Sequence, residues 1–219
     1  MKIKTGNKNH SSFSLAKIKP LKVSFYTNKN VVAVAKALIG KIIITNFDNM
    51  LTAARIVETE AYNGITDKAS HAYNTKRTAR TEIMYSKGGV AYVYLCYGIH
   101  HLFNVVSSIE NEPHAVLIRA AEPLAGVDIM LMRTNKKTLN NTLTKGPGNV
   151  SKALGIFTKH SGIDLLQKEI FIATDNKKIP EKDIGISPRI GVDYAAEDAL
   201  LPYRFYIKNN PYVSGKINK

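Results

Sequence analysis

Glu58, Glu60 and Tyr62 recur at alternate positions of RIVETEAY, residues 55–62. The β-branched and aromatic content of that stretch predicts a strand. Period two then puts Ile56, Glu58, Glu60 and Tyr62 on one face, with Arg55, Val57, Thr59 and Ala61 on the other. Carboxylates near a sheet interior cost stability unless they are paired or used. One such acid can act as a general base, and two suit the acid–base pairs of glycoside hydrolysis. An ion pair with a nearby Arg or Lys accounts for the same residues, and the strand alone leaves these readings open.

A second chemically loaded stretch is VAYVYLCYGIHHLFNVVSS, residues 90–108. Tyr92, Tyr94 and Cys96 share one strand face, Val93 and Leu95 the other, and Gly98 supplies a hairpin turn before Leu102–Val106 resumes a β-rich run. Tyr97 therefore stands at the tip, where an amphipathic ring is poorly buried and can serve as a wedge. His100 and His101 are adjacent on a strand and point to opposite faces, which is poor geometry for a shared metal. The sequence holds no HExxH or CxxC pattern, P-loop or dinucleotide fingerprint, so neither metal nor cofactor is expected.

The elements that must position these groups belong to a chain of 219 residues with 44% hydrophobic and 22% charged residues, an ordinary globular composition. Its charge is less ordinary: 31 Lys+Arg against 17 Asp+Glu give a net +14, which favours a polyanionic partner or simply a solubilising surface. The one cysteine, Cys96, forms no internal disulfide and fits a reducing compartment. No apolar run approaches a membrane span and the N-terminus lacks a signal-peptide pattern, so an intracellular protein is expected, neither secreted nor membrane-bound. Residues 1–20 read as a basic, loosely held arm, and residues 21–219 as a single domain.

Within that domain Asn28 or Asn30 caps a helix over Val31–Ile39 that Gly40 stops. Strands follow at Lys41–Thr45 and Leu51–Tyr62 around a turn at Asn46–Asn49. Gly64–Ala79 reads as a long loop carrying His71, Lys76 and Arg77. Beyond the hairpin come a strand at Ala115–Ala121, a helix opened by Glu122 and Pro123 and running to about Arg133, and a surface excursion at Thr134–Thr144. In KGPGN, residues 145–149, Lys145 and Gly146 precede a short helix capped by Asn149 and ended by Gly155; its start could receive a phosphate or be a plain turn. Strands at Glu169–Thr174 and Arg204–Lys208 complete the pattern, with Pro202 and Pro211 punctuating the end. No βαβ alternation is visible. The expected class is α+β: a mixed, mostly antiparallel curved sheet with flanking helices and a protruding hairpin.

Taken in order, RIVETEAYNG, SHAYNTKRTAR, AYVYLCYGIHHLFNVVSS, AVLIRAAEPLAG, KGPGNVSKALGI and LPYRFYIKNNPYVSG closely resemble the 3-methyladenine DNA glycosylase family of the alkyladenine type. The resemblance spans approximately residues 25 to 215. It implies a monomeric, cofactor-free base-excision-repair hydrolase acting on double-stranded DNA that contains damaged purines, chiefly 3-methyladenine, without lyase activity. Carried onto matching positions, it implies that Glu60 activates the attacking water. Arg119 and the backbone carbonyl of Val213 would hold that water. Tyr62, His71 and Tyr94 would wall the pocket for an extruded base, Asn104 would crowd the amino group of normal guanine, and Tyr97 would fill the gap in the duplex. Lys76, Arg77, His100, Lys145 and Gly146 are the candidates for contact with the DNA backbone. Two other readings stay open beside it: a non-catalytic DNA- or RNA-binding module, and carbohydrate hydrolysis by Glu58 and Glu60.

Overall fold

The computed structural model describes residues 13–215. Its strands are β1 (Lys19–Pro20), β2 (Ile42–Phe47), β3 (Met50–Tyr62), β4 (Ala91–Cys96), β5 (His100–Ser107), β6 (His114–Ala125), β7 (Ile170–Thr174), β8 (Ile184–Ser187) and β9 (Arg204–Ile207). They form one sheet in the order β1-β7-β2-β3-β6-β5-β4, with β9 added to β3 and β8 to β9. Every pairing among the described residues is antiparallel, so the sheet is not mixed. The α-helices are α1 (Val23–Tyr26), α2 (Val31–Leu38), α3 (Val127–Thr134) and α4 (Pro147–Leu154). Most of the expected basic arm lies outside the described residues, but its end is fixed: β1 pairs with β7.

Helix α2 forms where expected, with the Asn30 side chain accepting from Ala33 N at 2.9 Å. Val31, Val34, Ala35 and Leu38 are buried at helical spacing. They join Met130 of α3 and Val150, Ala153 and Leu154 of α4 in the main core against the sheet. The turn between β2 and β3 narrows to Asp48 and Asn49, both at positive φ, a pair suited to a tight hairpin.

Three local expectations fail for identifiable reasons. Glu122 and Pro123 do not open a helix; they continue β6, which runs to Ala125 beside Ala53 of β3. Pro123 sits next to a register irregularity, where a missing N–H is tolerated. The turn into α3 is made instead by Gly126, at φ 68, where an added Cβ would lie 2.2 Å from the Leu51 carbonyl. Asn149 does not cap α4: Gly146 is the N-cap and Pro147 the first helical residue, while Asn149 Nδ2 donates back to the Lys145 carbonyl at 2.8 Å.

The third failure concerns the central strand. Register shifts interrupt the β3–β6 ladder between Ile56 and Glu58 and again between Glu58 and Thr59. Ile56 consequently packs in the main core with Ala61, while Val57 packs with Ala120, Tyr206 and Val213. Period two therefore holds from Glu58 onward but not across Val57, because a bulge inserts one residue. The same point is where the edge of β3 changes partner, from β2 at residues 50–55 to β9 at residues 58–60.

Candidate active site

The two strand acids have different surroundings. Glu58 is fully buried in an ionic cluster: Arg204 Nε donates to it at 2.7 Å, Arg119 Nε at 3.2 Å and Ser214 N at 2.7 Å. Glu60 is also 0% exposed, but its partners face a cavity. Arg119 Nη1 donates to Glu60 Oε2 at 3.2 Å, Tyr62 Oη to the same oxygen at 3.0 Å, and Ile190 N to Oε1 at 2.8 Å. Tyr62, Arg119 and Ile190 all line a cavity of about 560 Å³, so Glu60 lies directly behind its wall.

Burial raises the pKa of Glu60 against the lowering effect of Arg119 and its hydrogen bonds. A carboxylate so placed binds a proton more readily than a solvated one, the condition of a group that must accept one. Burial also pushes the Tyr62 phenol well above its usual range, reinforced by Glu60, so it remains a donor to the carboxylate.

The hairpin supplies the opposite wall. β4 pairs with β5 so that Tyr92 faces Asn104 and Tyr94 faces Leu102. Tyr92 and Tyr94 stack at 5.5 Å between centroids, and His71 meets Tyr94 edge-on at 4.6 Å. His71 Nδ1 lies 2.8 Å from the Tyr92 hydroxyl oxygen. Burial, with Arg80 and Lys76 nearby, lowers the His71 pKa to about 4, leaving a neutral ring at pH 7. Asn104 is buried and its Nδ2 donates to the Tyr92 and Leu102 carbonyls, each at 3.2 Å. Thus Tyr62, His71, Tyr94, Asn104 and Arg119 converge on one cavity.

Tyr97, at φ 50 in the β4–β5 turn, is 88% exposed at the rim of the cavity. His100 also reaches the rim and lies against α4, where a Cβ on Gly148 would meet its Nδ1 at 2.9 Å. His101 turns elsewhere, its Nδ1 accepting from Thr158 N at 3.1 Å. Gly146 lines the cavity and Lys145 bridges to Ala120 of β6.

Five sequence candidates are not among the residues that line the cavity: Glu60 just behind its wall, Lys145 next to Gly146, and Val213, Lys76 and Arg77. Val213 is buried against Val57 and Ala120. Lys76 is exposed on the loop after His71, and Arg77 is held by Glu82 at 2.6 Å and lies over the Tyr85 ring. Among the described residues no group of His, Cys, Asp or Glu could hold a metal ion, and no helix is long and apolar enough to cross a membrane.

No motif or periodicity anticipates the wall from Ile190 to Tyr194. It is anchored by a buried pair in which Arg189 Nη2 donates to Asp67 at 2.8 Å, and Arg189 also lies 4.9 Å over the Tyr62 ring. Neither Arg189 nor Asp67 belongs to a recognisable motif; a polar pair far apart in sequence leaves no periodic signal.

The Methylpurine-DNA glycosylase (MPG) family profile matches residues 24–211. A protein of Chlamydia felis is 46% identical over 185 residues, 84% of this chain and 94% of the relative. One of Desulfitobacterium hafniense is 42% identical over 206 residues, 91% of this chain and all of the relative. One of Natranaerobius thermophilus is 45% identical over 196 residues, 86% of this chain and 96% of the relative. All three bear the provisional name 3-methyladenine DNA glycosylase.

Proposed function

As this chain belongs to the methylpurine-DNA glycosylase family, we propose that it excises alkylated purines, chiefly 3-methyladenine, by hydrolysis with a Glu60-activated water. The N-glycosidic bond is inaccessible inside stacked DNA, so the nucleotide must be extruded, at a cost of a few kcal/mol. Tyr97, exposed at the hairpin tip, is suited to fill the gap and offset part of that cost. The extruded base enters among Tyr62, His71 and Tyr94. Alkylation at N3 or N7 makes a purine cationic, and an electron-rich ring attracts such a cation by ~0.5–2 kcal/mol when water is excluded. Neutral His71 adds no opposing charge.

The attacking water gives its proton to Glu60 as its oxygen bonds to the anomeric carbon. The electrons of the broken bond leave with the base and neutralise its charge, so a general acid is needed less than a general base. Arg119 lines the cavity and also reaches Glu60, which suits it to orient the water with the Val213 carbonyl. Hydrogen bonds of this kind often tighten only in the substrate complex. No amine attacks the sugar in this scheme, so the enzyme is monofunctional.

Glu60 supports this reading most directly: it is a desolvated carboxylate immediately behind an aromatic-walled cavity. A non-catalytic binding module has no use for it, and a glycosidase pair is disfavoured by Glu58, which is fully buried and already accepts from Arg204, Arg119 and Ser214 N. Glu60→Gln should lower single-turnover excision of 3-methyladenine by roughly 10²–10⁴-fold, with binding to an abasic-site analogue retained. Wild-type excision by that variant would remove Glu60 as the base.

A further inference from the structure

Three exposed, large apolar side chains line the cavity among the described residues: Leu95, Tyr97 and Tyr194. The first two belong to the β4–β5 hairpin, while Tyr194 stands on the 3₁₀ segment Asp193–Leu200. Tyr194 is 70% exposed, yet its ring is not loosely held. Its hydroxyl donates to the Ala69 carbonyl at 3.3 Å. Its chain neighbours Val192 and Ala195 are buried together with Ala69, with Tyr62 and Ala199 packed against them. The segment is tied down further by Lys68 N donating to Asp198 at 2.8 Å and by the Arg189–Asp67 pair.

A fixed, uncovered ring at the mouth of a cavity loses unfavourable hydration when a substrate covers it. The cavity's inner rings are engaged with one another, and those are the rings a planar base would meet. Tyr194 is farther out, on the segment that begins with the Glu60 partner Ile190. An extruded nucleotide lies with its base inward, its anomeric carbon near Glu60 and the rest of its sugar toward the mouth. We infer that Tyr194 is a substrate-binding residue whose ring packs against the deoxyribose of the extruded nucleotide, holding the sugar while Tyr97 occupies the duplex. This inference rests on the proposed extrusion and adds to it a contact to sugar rather than to base.

The test is binding by Tyr194→Ala and Tyr194→Phe to three duplexes: undamaged, with a tetrahydrofuran abasic-site analogue, and with a 3-methyladenine isostere that resists hydrolysis. The analogue keeps a sugar ring but has no base. Tyr194→Ala should weaken binding to the analogue and to the lesion duplex by the same factor, roughly tenfold for one well-covered ring, and leave undamaged-duplex binding unchanged. Tyr194→Phe, which keeps the ring, should recover most of the loss. The high exposure of the side chain predicts an unchanged melting temperature.

Loss confined to the lesion duplex would overturn the sugar assignment in favour of a base contact. Equal losses in Ala and Phe would assign the hydroxyl instead, and unchanged binding to all three would remove Tyr194 from the site. Failure of the extrusion reading itself would look different: the wild-type protein would not prefer either modified duplex over the undamaged one.

Discussion

The Ile190 amide donates to Glu60 Oε1 at 2.8 Å across 130 residues of sequence. It joins the C-terminal wall of the cavity to the carboxylate on the central strand, and it leaves the opposite oxygen to Arg119 and Tyr62. Because burial raises the pKa of Glu60, the base is charged only above a pH higher than that of a solvated glutamate.

Excision of a cationic lesion should therefore rise with pH through a limb placed above the ordinary glutamate value of 4.5. Single-turnover rates from pH 4 to pH 8 would reveal it. Residual activity in Glu60→Gln should lack that limb, and an identical limb in the variant would assign the titration to another group.

Stability should separate the two strand acids. Glu58 is the shared acceptor of Arg119, Arg204 and Ser214 N, so Glu58→Gln leaves buried cations short of a partner and should cost about 3–5 kcal/mol. For Glu60 the raised folded pKa means a stability contribution complete below the unfolded value and lost as pH rises through the folded one. The contribution therefore shrinks as pH rises, and Glu60→Gln, which keeps a neutral side chain in that place, should cost less stability than Glu58→Gln. Thermal melts of the two variants at neutral pH test the contrast directly.

His71 gives the opposite sign. Its folded pKa is lowered from 6.5 to about 4, so the stabilising contribution is present above 6.5 and lost as pH falls toward 4. The loss amounts to roughly 3 kcal/mol. Denaturant midpoints measured between pH 7 and pH 4 should fall more steeply for wild type than for His71→Gln; parallel curves would contradict the burial-driven shift.

Tyr97→Ser should weaken binding to a damaged duplex without lowering the melting temperature, since the ring is almost fully exposed. Equal affinity in the variant would exclude a wedge.

Lys145 sits beside Gly146 at the cavity, next to the start of α4, whereas Arg77 is already paired with Glu82. Lys145→Ala should reduce the slope of log affinity against log salt by about 1, and Arg77→Ala by less. Titrations on undamaged DNA at several salt concentrations would rank them.

The sequence by itself determined what depends on neighbours in the chain. The alternation from Glu58 to Tyr62, the turn at Tyr97 and Gly98, the Asn30 cap of α2 and the antiparallel character of most of the sheet follow from local sterics and hydrophobic period. The ordered motifs also named the family and most of the residues that meet at the cavity. Tertiary structure alone decided which carboxylate is locked away and which borders the cavity, because that depends on Arg204 and Ser214 reaching Glu58 while Ile190 reaches Glu60. It also placed Ile56 in the core through a bulge at Val57, kept Pro123 in a strand because Ala125 pairs with Ala53, and brought Tyr194 to the mouth on a wall anchored by Arg189 and Asp67. These outcomes rest on hydrogen bonds and ion pairs between residues many tens of positions apart, and such pairings impose no period on the sequence from which they could be read.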